Sequence, residues 1–465
     1  MNQIPKHIFR TYDIRGLNET ELNDESVELI GKGFGTYLAR RGTKDCIIGR
    51  DTRVSSERFQ RALTKGLLST GCNVHSVGLS LASAIYWARH KYNVDGAVMV
   101  TASHNPPNYN GFKLCSGINA IVEEEIQKLR EIIEVGEFEI GEGTEKELPN
   151  ANSEYYAAIR DRIKLKRKLK LVIECGHGTP ALFMPQFLRD LGCEVITLHE
   201  NVDSSFPAGV PDPVNPEFRK ATVDALKEHG ADIGIVMDAD GDRAGFVDEK
   251  GNMWLGDIVL DLFVRDFLPK NPGAKVIVEL KNTEAVVEDT LRLGGTPIFW
   301  KSGHALLDLK VHEEQAILCA EMSCHYWVTK DWYVFDDAVF ATAHLLRIIC
   351  DSGKTFSELV SEIPLYPSTP EIRFACPEDK KIEIVENAVE YFKEKCEKTV
   401  LVDGIRGYAH NGWFLLRKSN TQPLLTIRAE AKTEQDLEKL KQFISDHMKT
   451  YPEIDFDWNR QYDKA

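Results

Sequence analysis

Apolar residues recur along the chain in two patterns. Short continuous runs, such as Cys46-Ile47-Ile48, Gly96-Ala97-Val98-Met99-Val100, Leu169-Lys170-Leu171-Val172-Ile173, Ile233-Gly234-Ile235-Val236-Met237 and Val276-Ile277-Val278-Glu279-Leu280, have the length of buried strands. Between them apolar residues fall at helical spacing, as in Val27, Ile30, Phe34, Tyr37 and Leu38, and the pattern predicts a helix from about Val122 to Glu134. Strand and helix alternate, which predicts α/β layers. The acidic, glycine-containing run Val135 to Gly143 reads as an exposed connection, with a first boundary near residue 150. From about residue 368 a smaller unit begins: a strand Glu371-Ile372-Arg373-Phe374, a charged helix around Lys381 to Lys395, two further strands, and a last helix through Leu437, Leu440 and Phe443.

At 465 residues the chain is too long for one ordinary core and predicts three or four domains. Lys and Arg total 57 against 72 Asp and Glu, a formal charge of -15. That balance disfavours sequence-independent binding to nucleic acid or an anionic membrane, so a phosphorylated ligand requires a locally basic pocket. No stretch approaches a membrane span, and MNQIPKHIFRTYDIRG lacks the apolar core of a signal peptide, which predicts a cytoplasmic protein. The ten cysteines include no C-x-x-C pair and read as reduced, mostly buried thiols.

The chemistry concentrates in loops that follow the apolar runs, where ligands bind in open α/β sheets. Val100 to Lys113 reads VTASHNPPNYNGFK, a loop stiffened by Pro106 and Pro107, with Ser103 as candidate nucleophile. Asp238-Ala239-Asp240-Gly241-Asp242-Arg243 follows another buried run, and its alternating Asp238, Asp240 and Asp242 can converge on one hard cation, Mg²⁺ fitting best. An EF-hand is disfavoured because Arg243 occupies the sixth position, where glycine is needed, and a strand precedes the loop. An aspartyl-phosphatase loop, with Asp238 as nucleophile, is the other alternative; Asp242 stands where that family has Thr.

TASHNPPNYNGFK is similar to the phosphoserine loop of the α-D-phosphohexomutases, in particular their bacterial phosphomannomutase/phosphoglucomutase branch. Three further loops match in chain order: the aspartate loop, Ala320-Glu321-Met322-Ser323-Cys324-His325 against the sugar-binding G-E-M-S-G-H, and Arg417-Lys418-Ser419-Asn420-Thr421 against the phosphate-binding R-x-S-N-T. The resemblance implies three similar α/β mixed-sheet domains and a smaller α+β C-terminal domain around a central cleft, with domains at 1–150, 151–253, 254–367 and 368–465. It implies a mutase that interconverts hexose 1-phosphate and hexose 6-phosphate, of mannose or glucose, through phosphoserine at Ser103 and a 1,6-bisphosphate, which also serves as activator. Ser103, Asp238, Asp240 and Asp242 would hold Mg²⁺, with Arg243 beside them, and Lys113 and His325 would be the acid/base groups. Tyr12, Arg15, Lys281, His304, Glu321 and Ser323 would face the sugar, while Arg417, Ser419, Asn420 and Thr421 would grip the non-reacting phosphate.

Within the same resemblance, Arg10 would close a salt bridge and Gly49-Arg50-Asp51-Thr52-Arg53 would brace the serine loop. His177 reads as a turn residue, and Asp336-Asp337 as the acidic opening of a helix. Ala320 and Cys324 stand where the family commonly has glycine, and a positive φ at either would strain the loop. A hinge is expected around residues 366 to 370. A non-catalytic sugar-phosphate-binding protein is the remaining alternative, and the expected assembly is a monomer or dimer.

Overall fold

The continuous apolar runs form the centres of four sheets in the computed structural model, which describes residues 4–117, 119–419 and 423–459. The first sheet contains β1 (Ile14–Leu17), β2 (Asp45–Arg50), β3 (Asn73–Leu79), β4 (Gly96–Val100), β5 (Tyr109–Ser116), β6 (Asn119–Ala120) and β7 (Glu145–Glu147), in the order β1-β5-β4-β2-β3-β7 with β6 paired to β5. β4, β2, β3 and β7 run parallel, and β5 and β1 are antiparallel additions beside β4. The second sheet joins β8 (Lys170–Glu174), β9 (Glu194–Leu198), β10 (Ile233–Met237), β11 (Ala244–Asp248) and β12 (Met253–Trp254), in the order β12-β11-β10-β8-β9. The third joins β13 (Lys275–Glu279), β14 (Thr296–Trp300), β15 (Leu318–Ala320) and β16 (Tyr326–Val328), in the order β14-β13-β15-β16. These three mixed sheets repeat one plan, a parallel centre closed by an antiparallel hairpin strand.

The fourth sheet is antiparallel throughout: β17 (Ile372–Ala375), β18 (Lys398–Val400), β19 (Ile405–Ala409), β20 (Gly412–Lys418) and β21 (Leu424–Ala431), in the order β17-β21-β20-β19-β18. The helices Lys381–Lys395 and Glu434–Met448 cover it. The fold is therefore three α/β units and a smaller α+β unit. The helix expected from Val122 to Glu134 spans Glu124–Val135, and the one through Val27 spans Asp24–Ala39 behind a capping box of Asn23 and Ser26. β7 was not expected: the exposed run after Val135 returns along the first sheet and adds a charged edge strand.

The cores divide unevenly. One continuous apolar cluster passes from Ile47 and Met99 through Ile173 and Met237 to Val278 and Leu318, so the first three units share a core. The C-terminal unit has its own, around Ile372, Phe392, Phe414 and Leu440. It docks on the third unit through Arg406, which donates to Leu280 O (2.8 Å), Asn282 O (2.9 Å) and Glu284 Oε2 (2.6 Å) while its guanidinium lies 3.6 Å from the Trp413 ring centroid. In the connecting segment, Tyr366 Oη donates to Glu288 of the third unit, whereas Pro367 O accepts from Ala431 N and Thr369 N donates to Ala429 O. Tyr366, at the front of the segment expected to hinge, touches both units, since Lys432 Nζ of the C-terminal unit lies 3.8 Å from its ring centroid.

Candidate active site

Four loops leave the C-terminal ends of central strands: the serine loop after β4, the aspartate loop after β10, Lys281-Asn282-Thr283 after β13 and the sugar loop after β15. The serine loop is held open from behind. Arg53 donates to the carbonyls of Ser103 (2.7 Å), Asn105 (2.6 Å), Pro106 (2.7 Å) and Tyr109 (3.1 Å), and Asp51 accepts from Arg53 N (3.0 Å). Arg15 works from the other side, paired with Asp13 (2.6 Å) and donating to Asn105 Oδ1 (2.7 Å) and Ala102 O (3.3 Å). Ser103 itself takes a left-handed φ of 47° and is 3% exposed. Arg10 closes no ion pair among the described residues.

Ser103 Oγ donates to Asp238 Oδ2 at 2.7 Å, across the boundary between the first two units. Thr101 links the same loops, accepting from Ser103 N (2.9 Å) and donating to Asp240 Oδ2 (3.0 Å). Lys113 Nζ lies 2.9 Å from Asp240 Oδ2 and also contacts Asp242. Burial works against the Lys113 charge, but these two carboxylates hold its pKa well above the lysine norm. Arg243 pairs with Asp238 Oδ2 (3.2 Å) and with Asp212 Oδ1 (3.1 Å), a partner supplied by the proline-rich loop before it.

The three aspartates are buried, and each offers an oxygen within 4.8 Å of the others. Asp240 Oδ1 and Asp242 Oδ1 are enclosed and have no hydrogen-bond partner. Burial, then repulsion from Asp242 and Asp240, lifts Asp238 well above the carboxylate range. Crowded, orphaned carboxylate oxygens suit a hard divalent cation and its oxygen-rich coordination. The loop joins antiparallel strands β10 and β11, not two helices, which removes the EF-hand alternative. Asp238 also accepts from Gly241 N (3.1 Å) and Arg243 N (3.2 Å), so its oxygens are already engaged by donors.

The sugar loop closes the hairpin between β15 and β16. Glu321 N donates to His325 O (3.0 Å), and Cys324 N donates to Glu321 O (2.9 Å). Ala320 pairs within the ladder, but Cys324 takes φ +76°, so of the two departures from glycine only Cys324 adopts the left-handed backbone. Gly256 is needed here, since a Cβ on it would lie 1.9 Å from Glu321 O. Glu321 accepts from Gly303 N (2.7 Å) and Ser323 Oγ (3.2 Å) and contacts His325 Nδ1 (2.9 Å); the His325 hydrogen bond and charge hold it near a pKa of about 2 despite burial. Burial lowers His325, but Asp242 and Glu321 beside it raise it to about 10. His304 stacks on His325, with centroids 5.2 Å apart, and meets the Tyr12 ring edge-on at 4.9 Å. Lys281 Nζ pairs with Glu279 (3.0 Å) and reaches toward Glu371 of the C-terminal unit (3.7 Å).

Arg417 is the penultimate residue of β20, where its Nε donates to Asp403 (2.7 Å), and Ser419 N donates to Leu424 O (2.9 Å). Asn420 and Thr421 lie outside the described residues. Arg428 extends from β21 to Lys281 O and Met322 Sδ, so the C-terminal sheet touches the sugar loop directly. His177 occupies a turn with φ 58° and bonds Asn201 O through Nδ1 (2.7 Å). Asp337 caps the helix Ala338–Ser352, while its neighbour Asp336 turns inward to His304 and His325, a placement the dipeptide did not reveal.

Models of phosphoglucomutase/phosphomannomutase alpha/beta/alpha domains I, II and III match residues 6–139, 153–251 and 255–366, and the model of the C-terminal domain matches 371–447. The chain is 37% identical over 447 residues to a phosphomannomutase/phosphoglucomutase of Pseudomonas aeruginosa, covering 96% of each. A phosphoglucomutase of Neisseria meningitidis is 36% identical over 447 residues, 95% of this chain and 96% of that one. The crystal structure of a phosphoglucomutase/phosphomannomutase family protein from Burkholderia thailandensis superposes with a TM-score of 0.91 at 33% identity, covering 96% of this chain and 98% of that one.

Proposed function

The chain belongs to the phosphoglucomutase/phosphomannomutase family, the α-D-phosphohexomutases, and we propose that it interconverts the 1- and 6-phosphates of mannose or glucose through phosphoserine at Ser103. The observation that carries this reading is the placement of Ser103 Oγ, 2.7 Å from Asp238 Oδ2, beside Asp240, Asp242, Lys113 and Arg243. Those charges meet the demand of phosphoryl transfer, which is position and charge neutralisation more than covalent help.

In the first half-reaction the bond from phosphorus to Ser103 Oγ breaks as phosphorus bonds the free sugar hydroxyl. Asp242 and Glu321 hold the resting His325 ring as imidazolium, so it gives up a proton before its neutral form accepts the one from the sugar hydroxyl. Lys113, held charged by Asp240 and Asp242, gives a proton to the Ser103 Oγ released and takes one back when Ser103 Oγ is phosphorylated again. The hexose 1,6-bisphosphate then turns over, its other phosphate returns to Ser103, and His325 gives the proton back to the oxygen released. Asp238, Asp240, Asp242 and the phosphoserine would hold Mg²⁺, which when bound supplies further neutralisation of the transferring group. Trace bisphosphate restores any serine that loses its phosphate, and so acts as activator.

Glu321 and Ser323 read the sugar hydroxyls, Lys281, His304, Tyr12 and Arg15 surround them, and Arg417 with Ser419, Asn420 and Thr421 grips the distal phosphate. The aspartyl-phosphatase alternative is disfavoured because Asp238 is engaged by Ser103, Gly241 and Arg243. The test is intact mass with peptide mapping, joined to a coupled assay on mannose 1-phosphate and glucose 1-phosphate with Mg²⁺ and trace bisphosphate. Acid-stable phosphate on Ser103 with turnover, both lost in Ser103→Ala, is expected. A hydroxylamine-labile phosphate on Asp238, or no turnover of either sugar, would overturn the reading.

A further inference from the structure

Behind the sugar loop lies a second group of donor atoms, chemically unlike the three aspartates. His304 opens the helix His304–Glu314, His325 ends the sugar loop, and Asp336 precedes the helix Ala338–Ser352. Each offers one ligand atom within 4.8 Å of the others. Asp336 Oδ2 stands 3.6 Å from His304 Nδ1 and 3.8 Å from His325 Nε2. These gaps are too long for hydrogen bonds. They are close to the spacing of about 3.3 Å between ligands bound at 2.0–2.1 Å in a tetrahedron.

Two further observations point to a ligand. Asp336 is 3% exposed, and its Oδ2, which faces both imidazoles, is enclosed without any hydrogen-bond partner. An oxygen left so is costly unless something binds it. Glu321 Oε2 lies 2.9 Å from His325 Nδ1, an outer carboxylate on the far ring nitrogen that leaves Nε2 as the donor facing Asp336. That carboxylate–imidazole arrangement is the usual support of a metal-binding histidine.

We propose that His304 Nδ1, His325 Nε2 and Asp336 Oδ2 form a site for a borderline-soft divalent transition-metal ion such as Zn²⁺, with its own ligand set but adjoining the oxygen-only aspartate site, whose Asp242 Oδ2 lies 3.7 Å from His325 Nε2, and that its occupation arrests turnover. Two imidazoles and one carboxylate suit zinc, whereas three carboxylates suit Mg²⁺. The arrest follows because the ion takes the nitrogen that His325 would use for proton transfer and pins the His304 ring beside the sugar. The inhibitory consequence rests on the mutase reading; binding does not.

The test is a Zn²⁺ titration of the chelator-treated full chain by calorimetry under excess Mg²⁺, with X-ray absorption at the zinc edge. One zinc per chain with two imidazoles in its shell is expected, and His304→Asn or Asp336→Asn should each weaken binding about 100-fold, Glu321→Gln about tenfold. Asp240→Asn should leave binding in place. An oxygen-only shell, loss of zinc in Asp240→Asn but not in His304→Asn, or no binding would overturn the proposal. If a variant fails to fold, the absorption spectrum of the unaltered protein decides alone. Zinc bound as described, in a protein that turns over no hexose phosphate without zinc, would leave this site standing and sink the mutase reading.

Discussion

Cys324 is the residue at which the sugar loop departs from what its backbone prefers. Its φ of +76° costs a non-glycine residue about 1 kcal/mol, and its side chain is fully buried in the core shared by three units. Removing the sulfur and removing the strain are therefore separable. Cys324→Ala loses the packing and keeps the strain, whereas Cys324→Gly loses the packing and sheds the strain. The glycine variant is expected to melt above the alanine variant, by about 1 kcal/mol in stability, in parallel thermal scans; the reverse order would show that this turn carries no strain. At this scale the sequence revealed residues whose neighbours along the chain are themselves chemically unusual, as with Ser103 before its prolines or the alternating aspartates. Asp336, Glu279 and Asp212 escaped because each acquires its role from a partner on another element: His325, Met322 N and Arg243 respectively.

Between the helices Gly256–Phe267 and Glu284–Arg292, Asp261 is fully buried, with both oxygens lacking a hydrogen bond and Arg265 Nε 3.8 Å away. Burial, then Asp289, raises its pKa from 3.8 to about 8. A carboxyl whose folded pKa exceeds its unfolded value contributes stability that is intact below pH 3.8 and is lost as pH rises through about 8. Asp261→Asn should accordingly raise the melting temperature, little near pH 4 and most above pH 8. A gain independent of pH between 4 and 9 would refute this account. Element types and order were legible because buried strands and amphipathic helices differ in period. β7 was not, since a Glu-Lys-Glu strand at a sheet edge has no apolar face to betray it.

For the molecule as a whole, the decisive feature is the unequal division of cores, which no local pattern announces because it arises from contacts between units. Arg406 is fully buried and fastens the C-terminal sheet to the third unit through two carbonyls and Glu284. Arg406→Ala leaves those acceptors unpaired, at about 3–5 kcal/mol, and is expected to split a single calorimetric transition into two, with the C-terminal unit melting first. A uniform fall of one transition would mean that the unit has no independent stability. The same division bears on how the protein is made. During synthesis the serine, aspartate and sugar loops emerge before the C-terminal unit, and the body that holds them needs residues as far along as Ile363 to complete its shared core. A nascent chain of that length would already position Ser103 against Asp238, yet the segment bearing Arg417 and Ser419 would still be unfolded or inside the ribosome. On the proposed role of Arg417 and Ser419, such a chain could meet small phosphates but would lack the distal grip that retains a bisphosphate, so productive turnover would begin only after the antiparallel sheet has folded and docked.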